Sequence, residues 1–140
     1  MKLKIKKLHP DAKIPSYANK TDAGMDIYSI EDVIILPNTR TLVKTGISME
    51  FEKGYVALVW DKSGIAKNGL TKIGGVIDSG YRGEYKIMLL NISSKPYKIT
   101  KGQKIAQILM QKVFQPEIEL VEELSDSDRG EGGFGSTGLN

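Results

Sequence analysis

The chain has 140 residues and a formal net charge of +3, with no cysteine and a single histidine, His9. That length suits one domain with a core of its own. The missing cysteines exclude disulfides and thiolate metal sites, and one histidine argues against a histidine-rich metal site or a Ser-His-Asp triad.

Strand signals dominate. The start, Met1-Lys2-Leu3-Lys4-Ile5-Lys6-Lys7-Leu8, alternates apolar and charged residues. That is the pattern of a half-exposed strand, not of a signal peptide's continuous apolar core. No run approaches the roughly 20 apolar residues of a membrane span, so a cytoplasmic protein with no membrane partner is expected. Further strands are predicted at Met25–Tyr28, Val33–Leu36, Thr41–Phe51, Tyr55–Trp60, Tyr97–Ile99, Ile105–Phe114 and Ile118–Val121, with a short helical turn between Ser63 and Leu70. Pro10, Pro15, Pro37, Pro96 and Pro116 fall between them, as residues that cannot join a central ladder should. Many short strands with regular punctuation predict an all-β fold, a jelly-roll-like β-sandwich or barrel.

Between Val76 and Ile92 the pattern predicts a β-hairpin. Val76-Ile77 leads into a glycine-rich reversal and Tyr85-Lys86-Ile87-Met88-Leu89-Leu90 leads out, with Gly80 able to take the positive φ such turns often require. Asp78 and Tyr81 sit at the bend. Two readings stand: a surface hairpin with a solvated Asp78, or a place where bare glycine backbone pairs with a flat heterocycle as an added strand would. Three more stretches put polar groups in unusual company. Asp26, behind Gly24 at a strand start, reads as a turn-stabilising carboxylate or as a group holding a hard cation, directly or through water. Lys62-Ser63-Gly64, after an apolar strand, is a simple turn or a phosphate nest. Gln107 lies among apolar residues of a predicted buried strand, and a buried amide needs partners, whether structural or ligand.

Charge is uneven. Residues 117–131 hold seven acids and one base, leaving ten acids against nineteen bases elsewhere. A basic body suits phosphate-bearing partners, or is simply a solubilising lysine surface. Nucleic acid is not expected, because the aromatics are not spaced as a stacking platform. The end of the chain is polar and glycine-rich, and cannot bury enough surface to order itself. The expected division is a β-rich domain, 1–124, and a flexible C-terminal arm, 125–140. Arg129, Phe134, Ser136 and Thr137 give that arm the chemistry of a lid: the guanidinium and hydroxyls suit phosphate oxygens, and the ring suits a base. Gly130-x-Gly132-x-x-Gly135 spells a dinucleotide fingerprint, but no strand leads into it and no helix is expected after it, so that reading is rejected.

Five stretches, in this order, resemble the trimeric dUTP diphosphatases, or dUTPases. They are Ala23-Gly24-Met25-Asp26-Ile27, Asp61-Lys62-Ser63-Gly64-Ile65-Ala66, Gly75-Val76-Ile77-Asp78-Ser79-Gly80-Tyr81-Arg82-Gly83-Glu84, Gly102-Gln103-Lys104-Ile105-Ala106-Gln107, and Arg129-Gly130-Glu131-Gly132-Gly133-Phe134-Gly135-Ser136-Thr137-Gly138. The resemblance covers essentially the whole chain. It implies a jelly-roll-like subunit in a homotrimer whose three active sites are each built from all three subunits. It also implies Mg²⁺-dependent hydrolysis of dUTP to dUMP and pyrophosphate, which keeps uracil out of DNA and supplies dUMP for thymidylate synthesis.

The resemblance further implies roles. Asp78 would be the catalytic residue, orienting and deprotonating the water that attacks the α-phosphorus. Asp26 would hold Mg²⁺ through its water shell. Lys62, Ser63, Gly64 and Gln107 would contact the phosphate chain. The backbone around Val76 and Ile77 would pair with uracil, Tyr81 would pack under the deoxyribose, and Lys86 would lie near the nucleotide. Phe134 would stack on uracil, while Arg129, Gly135, Ser136 and Thr137 would close over the phosphates. Three positions depart from the family pattern. Asp61-Lys62 stands where Pro-Arg is usual, and lysine keeps the charge but loses the bidentate fork. Lys72 stands where several relatives carry Asn, which would lean base discrimination toward the backbone. A dCTP deaminase-like enzyme and a non-catalytic nucleotide-binding regulator share this fold as alternatives. The former is not expected to carry the Phe134-centred arm or the Tyr81 turn in this form.

Overall fold

Eleven strands and one helical turn organise residues 1–133, the part of the chain that this computed structural model describes. The strands are β1 (Lys4–Lys7), β2 (Met25–Tyr28), β3 (Val33–Ile35), β4 (Arg40–Val43), β5 (Ile47–Glu50), β6 (Tyr55–Trp60), β7 (Leu70–Lys72), β8 (Val76–Asp78), β9 (Ile87–Asn91), β10 (Tyr97–Ile99) and β11 (Lys104–Lys112), and α1 spans Ser63–Ala66. They pair antiparallel in four sheets, ordered β2-β11-β6-β8, β4-β9-β7, β1-β5 and β3-β10. This is the expected all-β, jelly-roll-like architecture. No helix among the described residues is long and apolar enough to cross a membrane.

Most predicted strands appear within a residue or two of their expected limits, and the departures have local causes. The run Thr41–Phe51 is two strands, because the chain turns at Gly46 with φ 69°. Leu70–Lys72 adds a strand, β7, that three residues after a turn are too short to announce. Ile118–Val121 forms no strand and lies exposed. The hairpin expectation is corrected: β8 pairs with β6 while β9 pairs with β4 and β7, so the glycine-rich reversal passes between two sheets. Its positive-φ glycines are Gly74 (72°) and Gly75 (118°), ahead of β8, and Gly80 is not among them.

The four-stranded sheet carries the site, and its two faces differ. Side chains directly opposite across an antiparallel pair share a face. Met25, Ile27, Ala106, Ile108, Val59 and Ala57 fall on one face and are buried in the core. Asp26, Gln107, Trp60, Leu58, Val76 and Asp78 fall on the other. One irregularity sets this parity on β11. Lys104 pairs with Tyr28 and Ala106 with Ile27, leaving Ile105 as the extra residue of a β-bulge. Ile105 and Ala106 are consequently both buried. Lys104 and Gln107, three apart, come out on the face of Asp26.

Candidate active site

Two clefts at opposite ends of this sheet collect most of the candidate residues. The first, of about 490 Å³, lies where β8 and the reversal after it meet β7 and β9, and Lys72, Gly75, Val76, Ile77, Asp78, Tyr81, Tyr85 and Lys86 are among its lining residues. β8 is an edge strand, so the backbone groups on its outer side are open to an added partner. The chain reaches it through Gly75, whose φ of 118° suits glycine and where a Cβ would come within 3.0 Å of the Val59 backbone oxygen. Tyr81 is positioned by its hydroxyl, which donates to Glu84 O at 3.0 Å, and by the Tyr85 ring, whose centroid is 6.0 Å away. Gly83 leaves room for it, since a Cβ there would sit 2.3 Å from the Tyr81 hydroxyl. Lys86 pairs with Glu84 at 3.8 Å. Tyr85 is fully buried, its hydroxyl has no hydrogen-bond partner among the described residues, and burial pushes its pKa up to about 12.

The second cleft, of about 460 Å³, lies across β2, β6 and β11 and is lined by Gly24, Asp26, Trp60, Asp61, Lys62 and Gln107 among others. Asp26 is 4% exposed, the one acidic or basic side chain buried among the described residues. Lys62 Nζ donates to its Oδ1 at 2.6 Å, and Lys104 Nζ stands 2.5 Å from its Oδ2. Burial pushes the Asp26 carboxyl up, but the two ammoniums outweigh burial and hold it below its ordinary value. The same contact raises Lys104. Gln107 donates from Nε2 to Asp61 O at 2.9 Å, which answers what its amide partners are. Gly24 makes that possible: a Cβ there would lie 2.4 Å from Gln107 Oε1. Two lysines around one carboxylate leave local positive charge, suited to an anion.

Lys62 precedes α1 as its N-cap residue; Ile65 N and Ala66 N donate to Lys62 O, and the Lys62 side chain makes no capping hydrogen bond. Ser63 and Gly64 follow it, exposed. Arg129 lies in the exposed tail, where its Nε donates to Gly132 O at 2.8 Å, and it lines neither cleft. Phe134, Gly135, Ser136 and Thr137 lie outside the described residues. Asp61, unexplained from sequence, has a local role: its Oδ2 accepts from Thr71 Oγ1 and its Oδ1 from Lys72 N, each at 2.6 Å, tying the end of β6 to β7. Lys104 is the polar residue that sequence reasoning missed. Its signal is the bulge, which no local pattern reveals.

The structure does not bring the two clefts together within one chain. Along Gln107–Trp60 and Val56–Asp78 the register puts three strand spacings and four residues between Asp26 and Asp78. That is about 20 Å of backbone separation at ordinary sheet dimensions.

Comparison with known proteins gives a consistent result. The dUTPase family model matches residues 10–138. A deoxyuridine 5'-triphosphate nucleotidohydrolase of Nautilia profundicola is 52% identical, covering 99% of both chains. One of Clostridioides difficile is 51% identical over 98% of each. Among solved structures, a mutant dUTPase of Staphylococcus bacteriophage 80alpha with dUpNHpp is similar at a TM-score of 0.93, 32% identity and 99% coverage of both chains. A mutant dUTPase from phage phi11 of S. aureus, described for its coordination of a structural Mg(II) ion, is similar at a TM-score of 0.84 and 28% identity, covering 90% of this chain and all of that one.

Proposed function

Because the chain belongs to the dUTPase family of dUTP-hydrolysing enzymes, we propose that it cleaves dUTP to dUMP and pyrophosphate, with Mg²⁺, in sites shared between the copies of a homotrimer. The observation that carries this reading is the division of the candidate residues. A cleft with an open strand edge, an aromatic ring and Asp78 suits a nucleoside, and a separate lysine-lined cleft suits its phosphates. One copy's nucleoside cleft facing another's phosphate cleft completes a site that one chain leaves in halves. Exposed apolar surface supports assembly. Val76 is 72% exposed, and beyond β11 Phe114, Ile118 and Leu120 are 95%, 94% and 98% exposed. Apolar residues in such numbers usually mark an interface.

In this mechanism the base pairs with the outer edge of β8 around Val76 and Ile77, and Tyr81 lies against the sugar. Asp78 accepts the proton of the water that attacks the α-phosphorus. The bond from the α-phosphorus to the bridging oxygen breaks, and pyrophosphate leaves. A carboxylate is a feeble base near neutrality, so most of the acceleration comes from positioning and charge neutralisation. Lys62 supplies charge to the phosphate chain and Gln107 an amide, with Ser63 and Gly64 beside them. The arm from residue 125 closes over the bound nucleotide with Arg129, Phe134, Gly135, Ser136 and Thr137.

The residues fit a Mg²⁺ that arrives with the triphosphate. No group of three or more His, Cys, Asp or Glu among the described residues is placed to hold a metal alone. Asp26, with an ammonium at each oxygen, suits contact through the ion's water shell better than direct ligation. When bound, Mg²⁺ supplies neutralisation of the phosphate oxygens.

Product analysis tests the reading. With Mg²⁺ and, separately, dUTP, dCTP, dTTP and UTP, only dUTP is expected to give its monophosphate and pyrophosphate. A uracil nucleotide formed from dCTP would overturn it in favour of a deaminase. Asp78→Asn is expected to lower turnover by about 10²–10⁴-fold while dUTP binding, followed by calorimetry, persists. Retained turnover removes Asp78 from its role.

A further inference from the structure

Asp26 has two ammoniums against it, and the fold delivers them in unequal ways. Lys104 stands at the start of β11, the strand that pairs with β2, and its Nζ lies 2.5 Å from an Oδ2 that is closed off from solvent. Lys62 comes from the turn between β6 and α1, outside any ladder, and its Nζ donates to Oδ1 at 2.6 Å. Lys62 lines the phosphate cleft and Lys104 does not. Among the described residues the Lys62 ammonium has no other hydrogen-bond partner, and its side chain does not cap α1. One lysine is therefore fixed in the sheet beside the carboxylate, and the other reaches it from a turn at the cleft. A buried carboxylate stripped of its only counterion is strongly disfavoured. With two, one can leave while the other keeps the charge compensated. A phosphate chain carries several negative charges against the single one of Asp26, so it competes for the ammonium that can move.

We propose that Lys104 is a positioning residue that holds Asp26 by Oδ2 throughout, and that Lys62 is an exchangeable partner that leaves Oδ1 for the phosphate chain, opening that oxygen to the water shell of Mg²⁺. The inference rests on reading this cleft as the triphosphate site. It couples the two ligands. While Lys62 sits on Oδ1, the carboxylate accepts from an ammonium rather than from an ion's waters. Once the phosphates take Lys62, Oδ1 is free for the ion that arrives with them. Lys104 keeps the carboxylate ionised and oriented in both states. The two lysines therefore have opposite consequences for the cation, although both ammoniums lie within 2.6 Å of the same side chain.

The test is the affinity of the full-length protein for dUpNHpp, whose imido link resists cleavage. It is measured by calorimetry with and without Mg²⁺ for the wild type, Lys104→Met, Lys104→Arg, Lys62→Met and Asp26→Asn. The readout is the factor by which Mg²⁺ tightens binding. Binding of dUMP, which lacks the β- and γ-phosphates, is the control, and melting temperature and assembly size are recorded for each variant. Mg²⁺ is expected to tighten binding to the wild type, and Asp26→Asn to remove most of that factor. Lys104→Met is expected to cut it about tenfold with dUMP affinity unmoved, and Lys104→Arg to retain most of it. Lys62→Met is expected to weaken dUpNHpp about tenfold without Mg²⁺ yet to keep or enlarge the factor, because Oδ1 is already free. A factor lost in Lys62→Met overturns the exchange on its own, whether or not Lys104→Met folds. A factor unchanged in Lys104→Met or in Asp26→Asn overturns the positioning role, as does a wild type indifferent to Mg²⁺. Loss of dUMP affinity together with the factor in Lys104→Met assigns the effect to folding and also overturns it. Turnover of dUTP is followed in parallel. Turnover with the two lysines behaving alike refutes this inference alone. Opposite lysine effects without turnover refute the hydrolase reading alone.

Discussion

Gln107 and Gly24 show how a single atom's room decides a site. The Gln107 amide crosses to Asp61 O only because position 24 has no side chain to block it. Gly24→Ala is expected to cost less than about 1 kcal/mol of stability, because the displaced group is the movable end of a half-exposed side chain. It is expected to lower kcat/KM for dUTP about tenfold by turning the Gln107 amide away. Steady-state kinetics beside urea denaturation separates the two effects. Asp26 yields a different expectation. Its carboxyl is held below its ordinary value of 3.8 by Lys104 and Lys62 against the opposing effect of burial. A depressed folded-state pKa contributes stability that is fully present above the unfolded value and is lost as pH falls through the folded one. The stability gap between the wild type and Asp26→Asn should therefore be open at pH 7 and close progressively below pH 3.8. Urea titrations at pH 7 and pH 3 check it, and an unchanged gap removes the ion pairs from the account.

At the scale of elements, β9 is the hinge of the packing, joining β4 to β7 and ending at Asn91. That residue is fully buried. Its Nδ2 donates to Ile35 O at 2.9 Å and Lys95 O at 2.7 Å, while Oδ1 accepts from Ser93 N and Ser93 Oγ. Asn91→Ala strands those partners and is expected to cost about 2–4 kcal/mol, read from urea denaturation, with the KM for dUTP unmoved. The strands themselves were legible because alternation and punctuation are local. Met25–Tyr28 and Tyr55–Trp60 appear at their predicted limits. Which strands pair was not legible: β8 and β9 look like one hairpin in sequence, and only long-range packing sends them to different sheets. Asp26, Lys62, Asp78 and Gln107 stood out by motif. Lys104 and the role of Asp61 did not, because each depends on a partner brought close by folding.

For the whole molecule, the separation of the two clefts makes a quantitative prediction. If one site takes Asp78 from one copy and Asp26 from another, inactive Asp78→Asn and Asp26→Asn proteins should complement each other. Unfolded together in equal amounts and refolded, they should recover about a quarter of wild-type activity, since each site draws its two residues from different copies of a closed symmetric assembly. A mixture as inactive as its parts would mean that each chain builds its site alone, against the separation implied by the sheet register. The same mixing followed by light scattering reports whether the exposed Phe114, Ile118 and Leu120 are covered in a stable oligomer.

The bulge at Ile105 makes the phosphate cleft depend on counting. Lys104 and Gln107 face Asp26 together only because one unpaired residue lies between Lys104 and Ala106. Remove Ile105 and the strand regains plain alternation: Lys104 then stands two residues before Gln107, on the same face, and the pairs Lys104–Tyr28, Ala106–Ile27 and Gln107–Asp26 follow one another without a break. What such a deletion gives up is a buried side chain, since Ile105 is 1% exposed. Straighten the strand with Ile105 kept in the ladder and the two polar residues part company, because residues three apart in an unbroken strand point to opposite faces. The extra residue therefore adds a side chain to the core while leaving both polar residues at the cleft, and a redesign of this strand has to keep or drop the bulge and Ile105 together.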